Sequence, residues 1–191
     1  MSVEPLDIDL ARPRTRLQPT TIREVHGAET PLPRYEKHLL CDAADGLYPE
    51  QLNAWEAGVV TAELRGGALA WYRNPSRASP DLLGVADGPG NAQQIMRPDF
   101  LFFSRSTDGE IVADVVDPHG LQFEDALPKL KGLAEFAASE RGRAFRRIEA
   151  IAKVNETYRV LDLKEPSVRE SVSRALAVKA LYDSAATGYL V

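Results

Sequence analysis

The chain has 191 residues, 44% of them hydrophobic and 27% charged, with a formal net charge of −5 at pH 7. That length fits one domain, or one domain with an appendage, able to bury roughly 70% of its unfolded surface, and the acidic balance excludes a protein that coats nucleic acid nonspecifically. No apolar run approaches the ~20 residues of a membrane span, the start lacks a signal-peptide pattern, and the lone Cys41 and scattered His26, His38 and His119 exclude an internal disulfide and any Cys/His zinc spacing, so a cytoplasmic protein is expected.

Residues 1–46 are rich in Pro and Arg, carry short alternating pieces such as "LDIDL", and read as an irregular or edge-strand lead-in. Leu52, Trp55, Val59 and Ala62 then recur at helical spacing, and the pair Gly66-Gly67 ends the run, which predicts a helix over 49–65. "ALAWYR" is a short strand stopped by "NPSRASP", "DLLGVA" is a weaker strand, and "DGPGNAQQ" is a loop by its turn residues. "DFLFFS" and "EIVADVV" flank "TDG" and predict a hairpin whose second strand is apolar on both faces except for its acid, hence central in a sheet. Leu127, Leu130, Leu133, Ala134 and Ala137 mark the next helix, with Pro128 in its first turn. "FRRIEAIAK" and "YRVLDL" are two further strands around "VNET". A closing helix opens with Ser167 and Glu170 at capping-box spacing and carries Val168, Val172, Ala175, Leu176 and Leu181 as a stripe. The order is helix, three strands, helix, two strands, helix: an α/β three-layer sandwich around one mixed sheet, spanning 47–191.

Within the hairpin, Asp114 shares a strand face with Val112 and Val116, while Asp117 sits at the strand end. A hairpin centred near residues 107 and 108 sets Asp99 across from about residue 116 and, with a bulge, close to Asp114. Two converging carboxylates repel unless a cation or a shared proton relieves them, and a hard divalent ion such as Mg²⁺ suits clustered oxygen ligands. Two basic patches accompany the acids: "RPRTR" at 12–16, and "RGRAFRR", with Arg141, Arg143, Arg146 and Arg147.

"PDFLFF", the fifteen residues from Asp99 to Asp114, and "VADVV" leading into a helix resemble the PD-(D/E)xK nuclease signature. The upstream "WEAGVVTAEL" and "AWYRNP" resemble the nuclease domain at the C-terminus of type III restriction and related DEAD/DEAH-type helicase subunits, over residues 47–165. The resemblance implies a restriction-endonuclease-like core in which Asp99 and Asp114 bind Mg²⁺, with Mn²⁺ as a substitute, and Glu56 or Glu63 completes the metal shell. The family lysine falls at Val116, which can neither polarise water nor offset charge, so Lys129 or Lys131 of the following helix, or His119, would have to replace it.

The expected function is a Mg²⁺-dependent DNA endonuclease of a restriction or phage-defence type, supplied with DNA by a separate helicase or translocase, and a homodimer would allow both strands to be cut. The alternative is a catalytically inactive module of the same fold that binds DNA or a helicase partner through Arg141, Arg143, Arg146 and Arg147. In either case Arg73 would serve as a phosphate clamp or as a partner of the acids.

Overall fold

The computed structural model describes residues 22–41, 45–75, 83, 85–86, 95–121 and 126–189. The "LDIDL" segment, the "RPRTR" patch, the "DGPGNAQQ" loop and most of "NPSRASP" lie outside them. In chain order the elements are β1 (Ile22–Val25), β2 (Ala28–Pro31), β3 (Arg34–Glu36), β4 (Leu47–Pro49), α1 (Ala54–Arg65), β5 (Ala70–Arg73), β6 (Val85–Ala86), β7 (Ile95–Met96), β8 (Phe100–Arg105) and β9 (Ile111–Pro118). They continue with α2 (Ala126–Ala138), β10 (Phe145–Val154), β11 (Thr157–Asp162), α3 (Pro166–Arg174), α4 (Val178–Ala185) and β12 (Thr187–Gly188).

Six strands form one mixed sheet in the order β12-β11-β10-β9-β8-β5. β9 and β10 are parallel and joined through α2, while the other neighbours are antiparallel. Strand alternation divides the core into two layers. On one face Val59 and Val60 of α1 pack on Trp71, Phe100, Phe102, Val116 and Ile151. On the other, Leu130 and Leu133 of α2, Val172 of α3, and Leu181 and Tyr182 of α4 pack on Val115, Ile148, Ala150 and Leu161. The fold is thus α/β, with the sheet between helices, and β9 is central as expected. α2 closes tightly on the chain that follows it: a Cβ at Gly142 would lie 2.1 Å from the Phe136 carbonyl oxygen, so only glycine fits there.

Four local features differ from expectation. α1 begins at Ala54 rather than 49, because Leu47–Pro49 pairs with β3 and Asn53 caps the helix. In that cap the Asn53 carboxamide oxygen accepts from the Glu56 N–H at 2.9 Å and the Glu56 carboxylate accepts from the Asn53 N–H at 2.9 Å. Part of the lead-in is ordered as the β1–β2 hairpin, turned by His26 at φ 52° and Gly27 at φ 78°, the paired left-handed conformation of a two-residue hairpin loop.

The closing helix is two helices broken at Ala175–Ala177, and Pro166 occupies the first turn without the expected Ser167–Glu170 capping box. An unbroken helix would carry Val178 and Leu181 away from the Val168–Val172 face. The break rotates Val178, Leu181 and Tyr182 into the core and leaves Leu176 exposed.

Finally, the β8–β9 hairpin is centred on Asp108, not near residues 107 and 108. Gly109 adopts φ 87°, and the Ser106 N–H donates to the Glu110 carbonyl at 2.8 Å, so the pairing runs Phe100↔Val116, Leu101↔Val115 and Phe102↔Asp114. This one-residue difference in register decides where every acid of the hairpin points.

Candidate active site

Continuing the observed register one step brings Asp99 opposite Asp117, not residue 116, and the Asp99 N–H donates to Asp117 Oδ1 at 3.0 Å. Asp117 shares a face with Val115, toward α2. Asp114 shares a face with Phe102 and Val116, toward α1. The expected convergence of Asp99 and Asp114 is therefore corrected: the sheet separates them, and Asp117 takes the place assigned to Asp114.

Beside Asp99, strand ends and both helical layers form a cavity of about 370 Å³ lined by Asn53, Glu56, Asp99, His119 and Lys129 among others, and Asp117 contacts Asp99, His119 and Lys129 of that wall. Asp117 is fully buried, and its Oδ1 also receives Lys129 Nζ at 2.8 Å from α2. His119 Nδ1 stands 3.6 Å from Asp117 Oδ2, and the His119 N–H donates to the Ile151 carbonyl at 2.9 Å, which fixes the strand end against β10. On the α1 side, Arg73 Nη1 contacts Glu56 Oε1 at 2.9 Å and Nη2 lies 3.6 Å from Asp99 Oδ1, with the guanidinium 4.7 Å from the Phe100 ring centroid. Arg73 is thus a partner of the acids. Glu56 is committed at both oxygens, one to the Asn53 cap and one to Arg73, and so positions Arg73.

The electrostatics follow from this crowding. Burial, and then the Asp117 charge, push the Asp99 carboxyl up to about 6 against the opposing pull of Arg73 and Lys129. Asp117 moves the other way: burial would raise it, but the His119 hydrogen bond and the Lys129 ammonium together hold it below the usual carboxylate range. An ionised carboxylate sits beside one that resists ionisation, next to a cavity and with a single lysine on the buried acid. Such a pair stabilises a cation between them, a proton shared with Asp99, or the phosphate of a ligand that brings its own cation. Among the described residues no group of three or more His, Cys, Asp or Glu side chains converges as a metal shell. Two carboxylates nevertheless suffice for Mg²⁺, which keeps several waters and takes few protein ligands.

The remaining expected site residues lie elsewhere. Glu63 is two helical turns from Glu56 and belongs, with Asp114, to a network on the α1 face. The Asp114 carboxylate accepts from Arg146 Nε at 3.0 Å, from Arg146 Nη2, from the Arg147 N–H at 3.1 Å and from Arg147 Nη2 at 3.1 Å. Arg147 also reaches Glu63 at 2.5 Å and Glu149 at 3.2 Å, and the Tyr189 hydroxyl donates to Glu63 at 2.8 Å. The pairing of Arg146 and Arg147 to one acid depends on the register shift in β10 between Phe145 and Arg147. Burial pushes the Glu149 carboxyl up to about 7, with Glu63, Asp162 and Asp114 adding to the rise and Arg147 opposing it.

Asp114 is therefore the anchor of two arginines and not a ligand in the cavity. Arg146 and Arg147 are largely committed to carboxylates, whereas Arg141 and Arg143 are exposed on the turn before β10. Lys131 lines a separate groove with Glu135, Arg169 and Glu170 and does not reach the acids. Asp117 was the residue missed. Its signal was the glycine of "TDG", which marks a three-residue loop and so the register.

A model of the YagJ family matches residues 36–190 of the chain. Protein YagJ of Escherichia coli (strain K12) is 45% identical over 185 residues, a span of 96% of this chain and 74% of that protein. No solved structure matches. No helix among the described residues is long and apolar enough to cross a membrane.

Proposed function

The chain belongs to the YagJ family, and from the geometry beside the cavity we propose that it is a Mg²⁺-dependent DNA endonuclease acting through Asp99, Asp117 and Lys129. The observation that carries the reading is the meeting of Asp99 and the buried Asp117 at neighbouring strand ends, with one helix lysine on the buried acid, beside a cavity that Asp99 and Lys129 line. The resemblance to PD-(D/E)xK nucleases supports it in corrected form. Asp99 is the acid of the "PD" half, Asp117 replaces Asp114 as the second acid, and His119 stands two residues on where the family has lysine. On this reading the sandwich is a restriction-endonuclease-like core.

The donor set fits the ion: both ligands are hard oxygens, and a divalent cation would offset the cost of holding the buried Asp99 carboxylate beside Asp117. When bound, Mg²⁺ would offset phosphate charge and acidify the attacking water. Lys129, held by Asp117, presents its ammonium to the cavity where charge grows on the phosphate as the water oxygen bonds to phosphorus and a phosphorus–oxygen ester bond breaks. Arg73, braced by Glu56, holds Asp99 in place. Arg141 and Arg143 would neutralise backbone phosphates farther along the duplex. DNA delivery by a separate helicase or translocase, a place in restriction or phage defence, and a dimer cutting both strands complete the proposal.

A second reading, a noncatalytic DNA-binding module of the same fold, is favoured by the absence, among the described residues, of a third acid converging on the pair. Cleavage of plasmid and linear DNA with Mg²⁺ or Mn²⁺ tests both. Cutting by the wild type and by Asp114→Asn, but not by Asp99→Asn or Asp117→Asn, is expected. Metal-dependent DNA binding without cutting by any of them would favour the module.

A further inference from the structure

Tyr182 of α4 is fully buried, and its hydroxyl lies 3.2 Å from His119 Nε2, with the two rings in an edge contact at 5.6 Å between centroids. A phenylalanine would fill the same core position against β10 and β11, so the hydroxyl is an added polar group that must be satisfied. On the other side of the imidazole, Nδ1 faces two oxygens of one residue, the Asp117 carbonyl at 3.4 Å and Oδ2 at 3.6 Å. Both oxygens can only accept. Nδ1 must therefore carry a proton, and Nε2 is the ring nitrogen that hydrogen-bonds the Tyr182 hydroxyl.

We infer that Tyr182 and His119 form a buried relay, hydrogen-bonded to the Asp117 carbonyl, that stands against Oδ2 and limits rotation of the Asp117 carboxylate, with both acting as positioning residues for the site proposed above. The relay leaves the work at the cavity to Asp117. Oδ1 is occupied by the Asp99 N–H and by Lys129, and Oδ2 is the oxygen with capacity to spare for a cation. The carboxylate could rotate about its last torsion if nothing stood behind Oδ2. His119 stands there, and its own ring is held at the far nitrogen by Tyr182 and at the backbone by Ile151. The same hydrogen bond links the docking of α4 to the geometry of a strand end on the neighbouring element, an arrangement in which a partner behind the ligand sets its direction.

The inference rests on the nuclease reading for its purpose but not for its test. Imidazole ¹⁵N shifts of the 191-residue chain, recorded without metal or DNA, should show His119 Nδ1 as an N–H and Nε2 as hydrogen-bonded. Tyr182→Phe should keep the fold and the Nδ1 proton, shift the Nε2 resonance by removing its hydroxyl partner, and weaken Mn²⁺ binding, followed by calorimetry, by on the order of 10-fold to 100-fold. His119→Asn, which keeps a donor near the Nδ1 position, should retain more Mn²⁺ affinity than His119→Ala. An unmoved Nε2 resonance in Tyr182→Phe, or equal Mn²⁺ affinities for His119→Asn and His119→Ala, would overturn the relay. Failure of the wild type to cut DNA would instead count against the nuclease reading and leave the imidazole result standing.

Discussion

Asp114 and Asp117 are three residues apart on one strand, and replacing each by asparagine should produce opposite phenotypes. Asp114 is fully buried and accepts four hydrogen bonds, two from Arg146 and two from Arg147. Asparagine would offer one acceptor oxygen and turn two N–H donors toward guanidinium groups that only donate. Breaking a buried ion pair from one side costs about 3–5 kcal/mol. The lower part of that range applies, because the Arg146 and Arg147 side chains are 42% and 30% exposed and water can take over some of their bonds. At about 2–4 °C per kcal/mol for a chain of this size, Asp114→Asn should melt on the order of 10 °C below the wild type.

Asp117→Asn keeps an oxygen for the Asp99 N–H and breaks one ion pair to a quarter-exposed lysine, so it should lose less stability while losing cleavage. Thermal unfolding followed by circular dichroism, beside plasmid cleavage below both melting temperatures, reads the two effects separately. An Asp114→Asn protein that melts with the wild type but has lost cleavage, or an Asp117→Asn protein that cuts at the wild-type rate, would refute the assignment of the two acids.

Lys129→Met should lower cleavage by roughly 100-fold or more, as expected for a donor aimed at transition-state charge, while Lys131→Met should leave it unchanged; single-turnover rates compare them. Glu149 has its carboxyl raised from an ordinary 4.5 to about 7, so it lowers the stability of the folded state as pH rises between those values, by about 3 kcal/mol at most. Urea unfolding from pH 4.5 to pH 8 should show that decline, and Glu149→Gln should flatten much of it, with Asp99, also raised, supplying the remaining slope. Arg141→Ala with Arg143→Ala should weaken DNA binding and reduce the steepness of its salt dependence by about two, with cleavage at saturating DNA retained; binding isotherms at several salt concentrations measure it.

The alternation of apolar residues in β8, β9 and β10 and the helical spacing in α1 and α2 made the central sheet and two of its helices readable, because burial on both faces leaves little freedom in those stretches. The failures came where the outcome turned on a single residue. Counting the hairpin as centred between residues 107 and 108 instead of on Asp108 moved Asp117 off the expected site and Asp114 onto it, since side chains in a strand change face at every step. The helix break at Ala175–Ala177 has no propensity signal, alanine being a good helix former, and follows from the burial of Val178, Leu181 and Tyr182. The network of Glu63, Asp114, Arg147, Glu149 and Tyr189 draws on α1, β9, β10 and the residue after β12, so no local spacing announces it.

The order in which the cavity is built along the chain has a consequence for synthesis. Glu56, Arg73, Asp99, Asp117 and Lys129 all precede β10, yet Ile151 of β10 holds the His119 backbone and Tyr182 of α4 holds its ring. β9 has a parallel neighbour that can be added only after the α2 crossover, a long-range pairing that forms late. A nascent chain therefore carries these charged groups before it can hold them in place, and their arrangement waits on β10 and α4, which are made after all of them.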